Sequence, residues 1–392
     1  MVRLMSNTFF KEKETKKKLV DFISQANILS MNKNCIKFEK DFSIFHDRKF
    51  STLVNSGSSA NLVLLQALLN LGRLKKGDKI AFTALTWATN VMPIIQLGLI
   101  PVPVDIELST LSNNLELFTK TVNKEEIKAF FITNVLGFSS DIEAISSYCN
   151  EKEILLLEDN CESLGSEYNG KKLGNFSLAS TVSFFVGHHL SAIEGGMICT
   201  DDFDLNQMLI IVRAHGWDRN VSKIKQEELK KKFSIDAFYD KYTFYDLGFN
   251  LRPTDITGFL GHTQLPFLDN IINRRFNNYK IFNKVALTNS DFLKLNIKGM
   301  NIVSNFAYPI ICKDKKTFEF YKQLFQKNNI EIRPIIGGSI INQPFFKKYV
   351  KTKYDCPNAS LVHQNGFYIP NRPDLKSEEI NLIVNLLNNE RS

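Results

Sequence analysis

Ser183-Phe184-Phe185-Val186-Gly187-His188-His189-Leu190-Ser191-Ala192-Ile193-Glu194-Gly195-Gly196 reads as a strand running into a loop and a Gly-Gly turn. Met197-Ile198-Cys199-Thr200 then reads as a second short strand. The loop carries two adjacent histidines. Loops held on a rigid scaffold often carry chemistry, and imidazole titrates near neutrality, which suits a general base. Adjacent side chains of extended backbone point to opposite faces, so this pair does not suit a single metal ion. No His-Glu-x-x-His is present, and no metal is expected.

Upstream of that stretch, short apolar runs alternate with helical patterns. Lys79-Ile80-Ala81-Phe82, Pro101 to Ile106, Ala129 to Val135 and Ile154 to Asn160 read as strands, with a helix over Thr89–Leu97. Such spacing predicts an α/β fold with a mostly parallel, buried sheet. Residues 1–50 read as helical, with Leu19, Phe22 and Ile23 at helical spacing. Val54-Asn55-Ser56-Gly57-Ser58-Ser59 is a small-polar turn opening a helix. Taken alone it is either a plain serine N-cap or an anion site at a helix N-terminus. Leu157-Glu158-Asp159-Asn160-Cys161-Glu162 ends an apolar strand in carboxylates, where α/β sheets bind ligands. Taken alone, Asp159 is either such a ligand or a helix cap.

Downstream, Thr257–Arg275 reads as one long helix, and residues 222–243 as a charged surface excursion. From about Thr288 the pattern changes to a smaller α+β unit. Strands are expected at Asn301–Pro309 and Ile330–Pro334, with helices at Lys316–Asn328 and Ser377–Asn389. We expect a large domain over 1–260 and a small one over 261–392.

The chain has 392 residues, 44% of them hydrophobic, enough for a sizeable core. No apolar stretch of about 18 residues predicts a membrane span, and Met1–Lys18 carries no apolar signal core. The six scattered cysteines, with no Cys-x-x-Cys, fit reduced thiols in a cytoplasmic protein. The net charge of +8 comes with basic runs but no nucleic-acid recognition motif, so they read as solvated helix faces. No Gly-x-Gly-x-x-Gly follows a strand, which disfavours a nicotinamide domain.

The Ser-Phe, three residues, x, Glu-Gly-Gly layout resembles the cofactor loop of the DegT/DnrJ/EryC1/StrS sugar aminotransferase family. Four separated motifs in the family's order, between about residues 25 and 372, carry the resemblance. It implies a pyridoxal phosphate (PLP) enzyme of the aspartate aminotransferase-like fold, fold type I. In the family, the fifth residue after the loop's serine is a Schiff-base lysine. Here that position is His188, and no lysine lies between Lys172 and Lys223. An imidazole forms no stable imine, so the cofactor would be held non-covalently, as PLP or pyridoxamine phosphate (PMP). That departure matches the dehydratase branch of the family, which removes a sugar hydroxyl.

The resemblance implies further roles. Gly57 and Ser58 would bind the cofactor phosphate, Trp87 would stack on the pyridine ring, and Asp159 would pair with its nitrogen. Ser183 and Glu162 would complete the cofactor site, and Glu162 stands where aminating relatives often have glutamine. Gly248-Phe249-Asn250-Leu251-Arg252-Pro253-Thr254-Asp255 matches a family motif with phenylalanine in place of tyrosine. Asn250 would reach the phosphate of a partner subunit, making the active unit a homodimer. His215 and Arg219, in Arg213-Ala214-His215-Gly216-Trp217-Asp218-Arg219, and Arg333 would lie near the substrate. Read alone, Trp87 is a core residue, His215 a structural histidine and Arg333 a surface arginine.

The implied substrate is a nucleotide-linked 4-keto-6-deoxyhexose, with L-glutamate as amino donor, and neither nucleic acid nor membrane as partner. Related CDP-sugar 3-dehydratases hold an iron–sulfur cluster on cysteines beyond the histidine loop. No cysteine lies between Cys199 and Cys312, so no cluster is expected. The nucleotide, GDP or CDP, stays open. So do an aminotransferase using a distant lysine and a ligand-sensing relative without activity.

Overall fold

The structure, a computed structural model, describes residues 1–390. Its framework is a seven-stranded sheet: β1 (Phe50–Val54), β2 (Lys79–Thr83), β3 (Ile100–Val104), β4 (Ile127–Thr133), β5 (Leu155–Asp159), β6 (Ala179–Ser183) and β7 (Gly196–Thr200). The order is β1-β7-β6-β5-β4-β2-β3. All pairings among β3, β2, β4, β5 and β6 are parallel, and only β7 runs against its neighbours. The expected mostly parallel sheet is therefore present. Apolar side chains face both sides because helices cover both faces.

Reversal of β7 has a positional consequence. It brings Gly196, the first residue of β7, to the sheet edge where β5 ends at Asp159 and β6 at Ser183. The helix Gly57–Asn70 starts at the same edge, and nine of its fourteen residues are buried. A helix apolar on most sides belongs inside a domain. Its N-terminus sits so close that a Cβ on Gly196 would lie 2.2 Å from the Ser56 carbonyl oxygen. A Cβ on Gly57 would lie 2.7 Å from that of Ser183. Glycine at both places lets helix, β6 and β7 meet.

A second sheet holds the C-terminal region together: β8 (Ala307–Ile311), β9 (Arg333–Pro334) and β10 (Gly366–Pro370), with β10 central and antiparallel to both. Helices Lys315–Lys327 and Ser377–Leu387 fall within a residue or two of expectation. The chain start joins this region, since Val2 bridges Ile330 and Leu4 N–H donates to Glu331 Oε2 at 2.9 Å.

Several expected elements differ. The helix expected over Thr257–Arg275 is two, Asp255–Gln264 and Leu268–Ala286, separated by a 3₁₀ turn at Leu265–Phe267. Pro266 lacks the N–H that would continue the first. The strand expected over Asn301–Pro309 is also split. Met300–Ile302 pairs with Glu167–Tyr168, and β8 pairs with β10. The strand over Ile330–Pro334 shrinks to Arg333–Pro334, and the helix over Thr89–Leu97 becomes a 3₁₀ turn plus Met92–Gln96. The N-terminal helical region is two helices, Glu12–Gln25 and Lys33–Phe45.

Asp255 fixes the second of these helices. Its Oδ1 accepts from the backbone N–H groups of Asn32, Asn34 and Cys35 at 3.0–3.1 Å, and its Oδ2 from Asn34 Nδ2 at 2.6 Å. The carboxylate is buried and meets the positive end of the helix. Asp255→Ala strands the Asn32 and Asn34 backbone donors and leaves Cys35 N–H only the Asn32 carbonyl at 3.1 Å, so urea denaturation should show a loss of about 2–4 kcal/mol.

Candidate active site

Strand β5 ends in Asp159, which is 4% exposed. Its Oδ2 accepts from Asn61 Nδ2 at 2.9 Å and Asn90 Nδ2 at 2.7 Å, and its Oδ1 from the Cys161 N–H at 2.8 Å. Asn61 is oriented in turn by the Thr181 hydroxyl, which donates to its Oδ1 at 2.7 Å. Three neutral donors thus fix a buried carboxylate that has no ion-pair partner among the described residues. A carboxylate so placed favours a cation at its remaining lone pairs.

The Gly57–Asn70 helix faces the same cavity with Ser56, Gly57 and Ser58. Ser56 caps it, accepting from the Ser59 N–H at 3.1 Å. The N–H groups of Gly57 and Ser58 have no intrahelical acceptor, which leaves an anion-binding end. Ser183 lines the cavity beside them and accepts from the Phe185 N–H at 3.2 Å. Trp87, 53% exposed, forms part of the wall; it is not the core residue its sequence alone allows.

His188 stands on the cavity wall with Asp159 and that helix end. Its ring lies 5.3 Å from the Phe306 ring and 5.6 Å, edge-on, from Phe185. Burial, then the Arg275 guanidinium, push the imidazole down to about 4, so it is a neutral base at pH 7. Its Nδ1 has no hydrogen-bond partner among the described residues. His189 is spent on the fold: its Nε2 meets the Ser304 carbonyl at 3.1 Å.

Glu162 completes the acidic end. Burial raises its carboxyl to about 8; the Leu136 N–H, donating at 3.0 Å, opposes this and the Asp159 charge adds to it. At pH 7 it is a carboxylic acid able to donate a hydrogen bond. The C-terminal region contributes Arg333, Tyr368 and Phe306, and the first residues of the sequence contribute Leu4 and Met5. The enclosed volume is about 400 Å³, and no lysine lines it. That is within the range of small-molecule sites.

Seven of the expected residues therefore share the cavity with His188: Gly57, Ser58, Trp87, Asp159, Glu162, Ser183 and Arg333. Arg333 also pairs with Glu331 at 2.7 Å. Asn250, His215 and Arg219 do not line it. They form a separate exposed cluster. Arg219 lies 3.8 Å over the Trp217 ring, His215 packs edge-on to Trp217 at 4.9 Å, and Arg252 donates to Asn250 Oδ1 at 3.2 Å. Asn61, Asn90, Phe306 and Tyr368 escaped the sequence reading. Asn61 had a signal, a buried amide in an otherwise apolar helix; Phe306 and Tyr368 arrive from remote segments with none.

A family model described as the DegT/DnrJ/EryC1/StrS aminotransferase family matches residues 11–388. This chain belongs to the DegT/DnrJ/EryC1/StrS aminotransferase family. Within the family it is 32% identical over 372 residues to GDP-4-keto-6-deoxy-D-mannose 3-dehydratase of Yersinia pseudotuberculosis, covering 93% of each. Among solved structures it resembles GDP-4-keto-6-deoxymannose-3-dehydratase with a trapped PLP-glutamate geminal diamine: TM-score 0.89, 30% identity, 99% of this chain and 100% of that one. A mutant of that enzyme with asparagine in place of a histidine and with bound GDP-perosamine matches at TM-score 0.90, 30% identity and the same coverage. The family member described here thus has the fold-type I architecture that the histidine loop implied.

Glu162 generates a stability prediction. Its folded carboxyl keeps its proton to about pH 8, whereas the unfolded one loses it near the ordinary value of 4.5. Its contribution is full below that ordinary value and is lost as pH rises through about 8. In the cofactor-free protein, Glu162→Gln should flatten the fall in urea midpoint between about pH 5 and about pH 8.

Proposed function

We propose that this chain is a PLP/PMP-dependent 3-dehydratase of a nucleotide-linked 4-keto-6-deoxyhexose, with GDP-4-keto-6-deoxy-D-mannose as substrate. The product is the 4-keto-3,6-dideoxy sugar, a precursor of the colitose type found in lipopolysaccharide O-antigens, and L-glutamate restores the amine form of the cofactor. One observation carries the reading. Where aminating relatives hold a Schiff-base lysine, a neutral imidazole faces a cavity without lysine.

The cavity fits the cofactor by its donor set. The Gly57 and Ser58 N–H groups and Ser183 would hold a phosphate, Trp87 would cover a ring face, and Asp159 would meet a pyridinium nitrogen. The missing Cβ of Gly57 keeps that cradle open toward Ser183. When bound, the cofactor supplies a protonated pyridine ring that accepts electron density from the breaking bond. His188 would take a proton from the cofactor's C4′ carbon and then, as imidazolium, give one to the departing C3 hydroxyl, which would leave as water. Glu162, a protonated acid, could donate a hydrogen bond to the bound group. Arg333, at the rim, would anchor the anionic part of the substrate.

A second copy of the chain would lend Asn250, His215 and Arg219. The exposure of Tyr242 and Phe244, 74% and 57%, beside them supports that reading. No helix among the described residues is long and apolar enough to cross a membrane. The six cysteines are unpaired, in keeping with a reducing cytoplasm.

Mass spectrometry of products from GDP- and CDP-4-keto-6-deoxyhexoses, with PLP and ¹⁵N-glutamate, tests the reading. A GDP-linked product one oxygen poorer and free of ¹⁵N is expected; ¹⁵N retained in the sugar would make the enzyme an aminotransferase. His188→Asn should keep PMP and lose about 10²–10⁴-fold in turnover. His188→Lys should gain a borohydride-trappable link to PLP that the parent lacks.

A further inference from the structure

Arg275 lies in the middle of the Leu268–Ala286 helix and is 5% exposed. A buried guanidinium ordinarily meets a carboxylate. This one spends its hydrogen bonds on carbonyls, Nη2 donating to the His188 oxygen at 3.0 Å and Nη1 to that of Asn305 at 3.5 Å. Its Nε has no hydrogen-bond partner among the described residues. The carbonyl ends of two segments are therefore drawn to one rigid fork. The first is the His188 loop; the second is Ser304–Phe306, whose phenylalanine packs on the His188 ring. Asn371 ties the same junction, its Nδ2 donating to the carbonyls of Asn305 and Arg275 at 3.1 Å each.

From this geometry we propose that Arg275 is the positioning residue of His188, holding its backbone from behind while Phe306 sets the ring. The proposal rests on His188 being the base of the dehydration. The fork fixes where the imidazole stands, and its charge disfavours a second cation beside it. Other charged or titratable groups reach the same walls. His189 follows in the chain, Asp374 faces Arg275 across the cavity behind the loop, and Asp159, Glu162 and Arg333 line the cavity in front. Among the described charged and titratable side chains, Arg275 is the one that donates to the His188 carbonyl.

The test pairs Arg275→Gln with Arg275→Lys in the full-length protein. Histidine NMR titration without cofactor reads the His188 midpoint, and steady-state kinetics reads the holoenzyme. Arg275→Gln should raise the midpoint by about 1 pH unit and lower kcat roughly 10²-fold, with KM within about threefold. Arg275→Lys should keep the midpoint near the parent's but leave kcat reduced, because an ammonium cannot reproduce the fork. Unchanged kcat and midpoint in a folded Arg275→Gln protein would overturn the proposal. If that variant does not fold, parental kcat in Arg275→Lys overturns it. The cofactor-free midpoint is read without substrate. A shifted midpoint in an enzyme that dehydrates none of the sugars therefore sinks the dehydratase reading and spares the brace.

Discussion

A lone buried carboxylate governs the arrangement. Asp159 sits at the end of β5 with three neutral hydrogen-bond donors and, among the described residues, no cation paired to it. Burying an anion is costly unless charge or dipoles answer it. Asn61, Asn90 and the Cys161 N–H supply dipoles, and the start of the Gly57–Asn70 helix lines the same cavity. The remaining demand is for a cation in the cavity, which a protonated pyridine ring would meet on the proposed reading. Asn61 sits on the helix that begins with Gly57, so one buried amide links the proposed ring end of the site to its proposed phosphate end.

The second constraint is the neutrality of the imidazole. A base held down to about 4 is unprotonated throughout the physiological range, at some cost in proton affinity. A second group lining the cavity has the opposite disposition. Glu162 keeps its proton because its surroundings are dry and Asp159 already carries charge nearby. The two groups are pushed apart in protonation by their environments, one a neutral base and the other a neutral acid.

The sheet and the histidine loop were legible from local grammar: apolar runs, a serine cap, a Gly-Gly turn. The seven cavity residues were named through the family resemblance; read alone, Trp87 passed for a core residue and Arg333 for a surface arginine. Asp159 was visible as a carboxylate ending a strand, yet its amide clamp was not, since Asn90 lies in a short 3₁₀ turn that reads as helix. Two breaks were misread for lack of weight on proline and on register. Pro266 cuts the long helix, and residues 303–306 divide one expected strand between two sheets. Arg275, Phe306 and Tyr368 were out of reach, because only tertiary packing brings them to the loop. His215, Arg219 and Asn250 were legible as motif residues, but they gather on the outer surface around Trp217.

The wall formed by Leu4 and Met5 carries a consequence for the order of folding. Val2 bridges Ile330 and Leu4 is tied to Glu331, each more than 300 positions away along the sequence. Contacts of such span close late, since loop entropy must be overcome first. This wall of the pocket is therefore completed late in folding, after the shorter-span pairings of the large sheet.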